Sequence, residues 1–254
     1  MKTAIITGAS SGFGEAIAKL FAQQGFRLIL IARRLERLQQ LQQWIAANSA
    51  TEVLIYACDV RDQAAVDQVF DQIPSSWQCI DVLVNNAGLA RGKATIQELN
   101  FEHMHEMIDT NVKGLIFVTK RVVQWMIPQR SGMIINVGSI AGKEPYLGGN
   151  AYSASKFGVD ALTKSMRIDL LPHGIRVGQI APGAANTEFS KVRFSGDQAV
   201  ADAVYKGFDP LVAEDIAEAA WFMASRPAHV CINDLVIMPT AQANATTFHK
   251  NSNP

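Results

Sequence analysis

The sequence predicts an α/β protein: a doubly wound, seven-stranded parallel sheet with helices on both faces, in a single domain spanning 1–254. Two observations carry this prediction. Apolar runs of strand length alternate with longer segments of helical period, and parallel pairing requires such crossover helices. The first run also empties into a glycine-rich turn, residues 8–14, that opens a helix. A third observation sets the scale: 254 residues, 48% hydrophobic and 18% charged, suffice for one large domain with a deep core.

The strand at 4–7 is a short apolar run stopped by Gly8, where a secretory signal would continue for several more apolar residues. Mainly apolar runs place further strands at 28–32, 53–57, 82–85, 133–137, 176–180 and 235–238. Helical period places helices at 14–24, 35–47, 63–72, 101–125, 151–171 and 213–225, one between each successive pair of strands. Residues 184–208 carry charge, Gly196 and aromatic side chains but no strand, and are expected to be a loop that closes over substrate. Residues 240–254 are polar and expected to be loosely held unless they dock on a neighbouring subunit.

Composition excludes several classes of function. Twenty-three Lys and Arg balance 23 Asp and Glu, so no net charge draws the chain to nucleic acid. No stretch reaches the roughly 18 apolar residues of a membrane span. The cysteines, Cys58, Cys79 and Cys231, are odd in number and widely separated, which fits a reduced, cytoplasmic setting and no metal site.

The turn after the first strand reads Thr7-Gly8-Ala9-Ser10-Ser11-Gly12-Phe13-Gly14, with the spacing Gly-x-x-x-Gly-x-Gly. Glycine lets the backbone approach phosphates without a Cβ, and the helix start offers unpaired N–H groups and partial positive charge, the arrangement of a Rossmann dinucleotide site. The alternative is a glycine-rich turn without a ligand. After the second strand, an NAD enzyme would place an acid for the ribose 2′-hydroxyl. Here Arg33-Arg34 stand instead, at a helix start that disfavours cations unless an anion offsets them; a 2′-phosphate is such an anion, so the cofactor is expected to be NADP. Alternatively both arginines are solvated and pair with Glu36 or another surface acid. Asp59-Val60 follow the third strand, positioned either to contact an adenine edge or to cap a helix.

These residues, with Asn85-Asn86-Ala87-Gly88, Asn111, Ser139 and Tyr152-Ser153-Ala154-Ser155-Lys156, occur in the order found in the short-chain dehydrogenases/reductases, which the chain resembles over almost its whole length. Tyr152 and Lys156 are spaced to share one helix face. A tyrosine hydroxyl, with an ordinary pKa of about 10, becomes a base near neutrality only when a cation stabilises the phenolate, and Lys156 is expected to be that cation. The resemblance implies that Lys156 also holds the nicotinamide ribose, that Ser139 hydrogen-bonds the substrate oxygen and that Asn111 supports a water chain for the departing proton. It further implies a carboxamide site at Pro182-Gly183-Ala184-Ala185-Asn186-Thr187, where Ala185 departs from the usual branched residue.

Longer stretches, among them Thr187-Glu188-Phe189-Ser190 and Val192-Arg193-Phe194, resemble the NADP-dependent 3-hydroxy acid (serine and allo-threonine) dehydrogenases that also reduce malonic semialdehyde. The implied substrate is a short anionic hydroxy acid or its aldehyde acid, with Arg193 as the cation for its carboxylate. Arg193 could instead pair with Glu188 or Asp197 at the surface. Sulfoacetaldehyde reductases, also acting on a short anion, are similar. Lys143-Glu144-Pro145 stands where both relatives lead one to expect a small residue and Trp, and Phe157-Gly158 also departs from the pattern. Competing readings are a broad carbonyl reductase, with Tyr146, Phe189, Phe194 and Phe208 lining an apolar pocket, and a non-catalytic NADP-binding regulator. Residues 112–127 are apolar on more than one face, which a partner subunit would cover most simply and a neighbouring helix of the same chain could cover in part; the resemblance implies a homotetramer.

Overall fold

The structure, a computed structural model, describes residues 1–194, 196–197, 199 and 204–251. Seven parallel strands form one sheet in the order β3-β2-β1-β4-β5-β6-β7. They are β1 (Thr3–Thr7), β2 (Arg27–Ala32), β3 (Val53–Ala57), β4 (Val82–Asn85), β5 (Gly132–Val137), β6 (Ile175–Pro182) and β7 (Asp234–Ile237). Each predicted strand is present, with bounds shifted by no more than two residues.

Alternation along the strands assigns each side chain to a face. Ala4, Ile6, Leu28, Leu30, Val82, Val84, Met133 and Ile135 point into one core, closed by α1 (Gly12–Gln23), α2 (Leu35–Asn48) and α8 (Ala213–Ala224). Ile5, Ile29, Ile31, Leu83, Ile134 and Val177 point into the other, closed by α3 (Gln63–Gln72), α5 (Leu115–Gln129) and α6 (Asn150–Leu170). The chain runs outward from β1 to β2 and β3, then crosses back to β4 on the other side of β1. The sheet's carboxyl edge therefore opens a crevice between the diverging connections, the usual ligand position of such sheets.

Three features differ from the sequence expectation. The single helix predicted at 101–125 is α4 (Phe101–Ile108), a π-helical turn (Asp109–Gly114) and α5. Its apolar faces are met largely within the chain: Leu115, Val118, Val122 and Met126 are buried, Phe117, Val123 and Ile127 pack against the same core, and Trp125 stacks on Phe70 of α3 at 5.5 Å. The predicted loop 184–208 contains a short helix, α7 (Glu188–Arg193); Ser195, Gln198 and residues 200–203 of that loop lie outside the described residues.

The polar tail is not loose over 240–251. Gln242 is buried, its Oε1 accepts from Ala184 N at 2.7 Å, Asn251 N donates to Gly207 O at 2.8 Å, and Phe248 packs on Phe208 at 5.2 Å. Polar composition hid this docking because the anchoring side chains are amides and an isolated aromatic, without a periodic apolar face. Residues 252–254 lie outside the described residues.

Candidate active site

The crevice is a cleft of about 260 Å3 lined by residues from every loop at the carboxyl edge of β1 to β5. Its floor is the β1–α1 turn. Gly8 has φ +66°, a conformation that L side chains rarely adopt, and a Cβ there would lie 2.9 Å from the Cα of Ala87. At Gly14 a Cβ would lie 2.5 Å from both Gly8 O and Asn86 Nδ2, so the first helical turn presses directly on the β4 loop. Asn86 Nδ2 donates to Thr7 O at 2.9 Å, and Thr7 Oγ1 accepts from the backbone N–H groups of Asn86 and Ala87 at 3.0 Å each. This lacing leaves Ser10, Ser11, Gly12, Phe13, Asn86, Ala87 and Gly88 lining the cleft, while Gly14 supports it from behind.

Arg33, Arg34, Asp59 and Val60 line the end of the cleft beyond β2 and β3. Arg34 is partly ordered by hydroxyls: Nε donates to Ser10 Oγ at 3.3 Å and Nη2 to Ser11 Oγ at 2.8 Å. It also pairs with an acid, though not Glu36: Nη1 lies 3.2 Å from Glu188 Oε2, and Glu188 is shared with Arg37. Asp59 is held by the guanidinium and backbone N–H of Arg61. Burial opposes ionisation of Asp59, but the hydrogen bonds and charge of Arg61 outweigh it and hold the carboxyl below the usual range. Asp59 is not the helix cap. That task falls to Asp62, whose Oδ1 accepts from Ala64 N and Ala65 N. The donor set of two serine hydroxyls, two guanidinium groups and a helix start beside a glycine floor fits a dinucleotide carrying an extra phosphate.

At the opposite end stand Ser139, Tyr152 and Lys156. Ser139 follows β5, with extended backbone, just behind the residues that line the cleft; its Oγ accepts from Ala141 N at 3.0 Å and faces the Tyr152 phenol closely enough to favour its ionised form. Lys156 lies one turn after Tyr152 on α6, is 6% exposed, and its Nζ donates to Val137 O at 2.9 Å while sitting 6.0 Å from the Tyr152 ring centroid. In the free chain Lys156 is not among the groups that lower the Tyr152 phenol. Burial dominates both groups: it raises the Tyr152 phenol well above its ordinary value, against the opposing effect of Ser139, and lowers the Lys156 ammonium to about 8.

Asn111 sits in the π-helical turn, buried, and its side chain is fully engaged. Oδ1 accepts from Leu89 N at 2.8 Å, and Nδ2 donates to Leu89 O and to Ser155 Oγ, both at 2.9 Å. The widened turn aims this amide as a clamp between the β4 loop and α6. A water chain would therefore have to use the backbone of Asn111.

The segment after β6 is only partly at the cleft. Thr187 lines it and caps α7, with Oγ1 accepting from Phe189 N at 3.2 Å. Pro182, Gly183 and Ala185 lie behind: Gly183 N donates to Ile237 O at 2.8 Å, and buried Ala185 gives its carbonyl to the Tyr205 hydroxyl at 2.6 Å. Arg193, at the end of α7, does not line the cleft but is half-buried beside it, against the loop after β4. Nε donates to Gly92 O at 3.0 Å, Nη2 to the Tyr146 hydroxyl at 2.9 Å, and its charge reaches Tyr152. Phe189 faces Tyr152 at 5.7 Å, whereas Phe208 belongs to the tail contact and not to this pocket.

The pattern of the short chain dehydrogenase family matches residues 2–198. The chain is a short-chain dehydrogenase. This short-chain dehydrogenase is 46% identical over 240 residues to sulfoacetaldehyde reductase 2 of Chromohalobacter salexigens, covering 94% of each chain. It is 43% identical over 242 residues to the NADP-dependent 3-hydroxy acid dehydrogenase YdfG of Escherichia coli K12, covering 95% of this chain and 96% of that one. Among solved structures, the closed form of serine dehydrogenase complexed with NADP+ superposes with a TM-score of 0.92 at 42% identity, covering 98% and 100% of the two chains.

The structure of this short-chain dehydrogenase also brings Cys58, Thr110, Glu188 and Val192 to the cleft, which sequence reasoning did not single out. Only Glu188 carried a usable signal, an acid one residue after the Thr187 that already pointed to the site.

Proposed function

We propose that the chain is an NADP-dependent oxidoreductase acting on a short anionic hydroxy acid or its aldehyde or keto acid, in the cytoplasm. The observation that carries this reading is the half-buried Arg193 guanidinium, anchored on Gly92 and Tyr146 beside the cleft within electrostatic reach of the Tyr152 phenol. A carboxylate or sulfonate fits that cation equally, so a sulfoacetaldehyde reductase activity belongs to the same reading. NADP, when bound, supplies or accepts the hydride.

Ser10, Ser11, Arg33 and Arg34 would hold the phosphates, Thr187 the carboxamide side, and Lys156 a ribose hydroxyl. Ser139 holds the substrate oxygen, and Tyr152 donates a proton to it in reduction or takes one in oxidation. A phenol kept protonated by burial is an acid at neutral pH, so the free protein is set for carbonyl reduction. Oxidation, which needs the phenolate, should rise with pH through the alkaline range.

The test is initial rates with NADPH and NADH over short aldehyde acids and sulfoacetaldehyde, and with the oxidised cofactors over serine and 3-hydroxypropionate. Arg193→Met should raise KM for anionic carbonyls at least tenfold, about 1.4 kcal/mol, and leave neutral carbonyls unchanged. Equal effects on both classes would favour the broad carbonyl reductase. NADPH binding without turnover of any carbonyl would favour the regulator.

Self-association as a homotetramer is supported by apolar side chains left open along α6 and at its end, with Ile168 and the following Leu171 each 73% exposed and Phe157 41% exposed. Mass photometry of the full chain decides it; a monomer at working concentration would refute it.

A further inference from the structure

Ser139 has to meet Tyr152 across a junction between the β5 turn and α6, and the structure shows how that junction is gripped. The turn Ile140–Gly142 lies flat on the helix: a Cβ on Gly142 would fall 2.5 Å from the carbonyl oxygen of Lys156. The next residue, Lys143, reaches Asp160 Oδ1 at 2.5 Å and also Asp234 of β7. Asp160 lies two turns beyond Tyr152 on the face that carries Lys156, and its side chain is 12% exposed.

The same network holds the chain on the other side of Ser139. Gln179 of β6, 2% exposed, donates through Nε2 to Asp160 Oδ1 at 2.5 Å and to Asp234 Oδ1 at 3.1 Å. A Cβ on Gly138 would lie 2.8 Å from Gln179 Oε1, so Gln179 backs the residue immediately before Ser139. With Lys164 on the second oxygen of Asp160, two ammonium groups meet two carboxylates and the cluster is neutral. Lys164 and Asp234 reach solvent, whereas Lys143 and Asp160 are sheltered, and a sheltered pair holds geometry only while both partners are present.

We propose that Lys143 is a positioning residue that sets the Ser139 turn against the helix carrying Tyr152, acting through Asp160. The inference rests on the reading of Tyr152 as the proton-transferring group. Lys143 touches neither substrate nor cofactor; it fixes the distance between the turn that carries Ser139 and the helix that carries Tyr152. Tyr152 is faced by Ser139, Tyr146 and Arg193 from other elements and by Lys156 on its own, and Ser139 favours its ionised form. Losing Ser139's grip therefore makes the phenol a weaker acid.

The experiment compares the full-length protein with Lys143→Met, Lys143→Arg and Asp160→Asn. Lys143→Met and Asp160→Asn should lower kcat about tenfold with NADPH affinity, read by cofactor fluorescence, held within about twofold. They should also move the rising limb of alcohol oxidation upward by roughly half a pH unit or more, and Lys143→Arg should restore both. Alkaline absorbance titration of the Tyr152 phenol, each protein taken against its own Tyr152→Phe counterpart, should show the same upward movement without substrate. Unmoved titration and limb in Lys143→Met, whatever happens to its melting temperature, would make Lys143 merely structural and overturn the proposal. So would a loss in Lys143→Arg equal to that in Lys143→Met. If the unmodified protein turned over no carbonyl, the functional reading would fall, and the titration would still judge the positioning.

Discussion

Tyr152 and Lys156 illustrate how burial and charge compete within one site. Lys156 is buried and Tyr152 half-buried in the cleft wall, and loss of hydration pushes each toward its neutral form, the phenol upward and the ammonium to about 8. Tyr152→Phe keeps the ring against Phe189 and removes the transferable proton, so kcat should fall by about 10^2 to 10^4 with an unchanged melting temperature and NADPH affinity; retained turnover would transfer the acid role elsewhere. These residues were legible in the sequence because their spacing and chain order are set by the helix and the strand ends that carry them. Their protonation was not, because it depends on how completely distant segments exclude water. Asn111 was legible as a position and not as a geometry: nothing in its neighbours announces that the turn is π-helical or that both ends of the amide are spent on Leu89 and Ser155.

The short helix α7 joins the two halves of the cleft. At its start Glu188 bridges to Arg34 and Arg37 on the cofactor side, and near its end Arg91 donates to Val192 O at 2.9 Å while pairing with Glu106. The side chains of Glu188, Arg34 and Arg37 are 39%, 43% and 42% exposed, so the bridge contributes little to stability and is screened by salt. Its carboxylate nevertheless occupies the guanidinium that a 2′-phosphate would use. Glu188→Gln should tighten NADPH binding about threefold at low ionic strength, near 0.7 kcal/mol, with less gain at 0.5 M salt, as read by fluorescence titration; weaker binding would show that Glu188 orders Arg34 more than it competes for it. Strands and crossover helices were readable from hydrophobic period alone, since each buries a face. The bridge was not, because an ion pair across such sequence distance leaves no periodic trace in either segment.

For the whole molecule, stability divides between the two cores on either side of the sheet. Phe21 of α1 is wholly buried and meets Phe26 and Trp221 at 5.2 and 5.7 Å, joining α1 to α8. Phe21→Ala should cost about 3 to 5 kcal/mol in denaturant unfolding; a loss below about 1 kcal/mol would mean that this seam is not part of the cooperative core. Acid acts on a different set of groups. Asp59, Glu106, Asp160 and Glu188 all have carboxyls held below their ordinary range, burial working against ionisation in each and paired cations prevailing. A carboxyl depressed in the folded state stabilises above its unfolded pKa of about 4 and loses that contribution as pH falls through the folded value. Unfolding midpoints should therefore hold from neutrality to about pH 5 and drop below about pH 4; a flat profile would refute it. The seven parallel strands were readable from alternation and from the turn after β1, whereas their order in the sheet and the docking of the tail were not. Gln242 fills the space beside Gly183, where a Cβ would lie 2.4 Å from its Oε1, and ties down the stretch that leads to Thr187. One wall of the catalytic chamber is thus completed only by residues made after everything else in it. A ribosome-bound chain halted before residue 242 would carry every reactive side chain and still have an unfinished room around them.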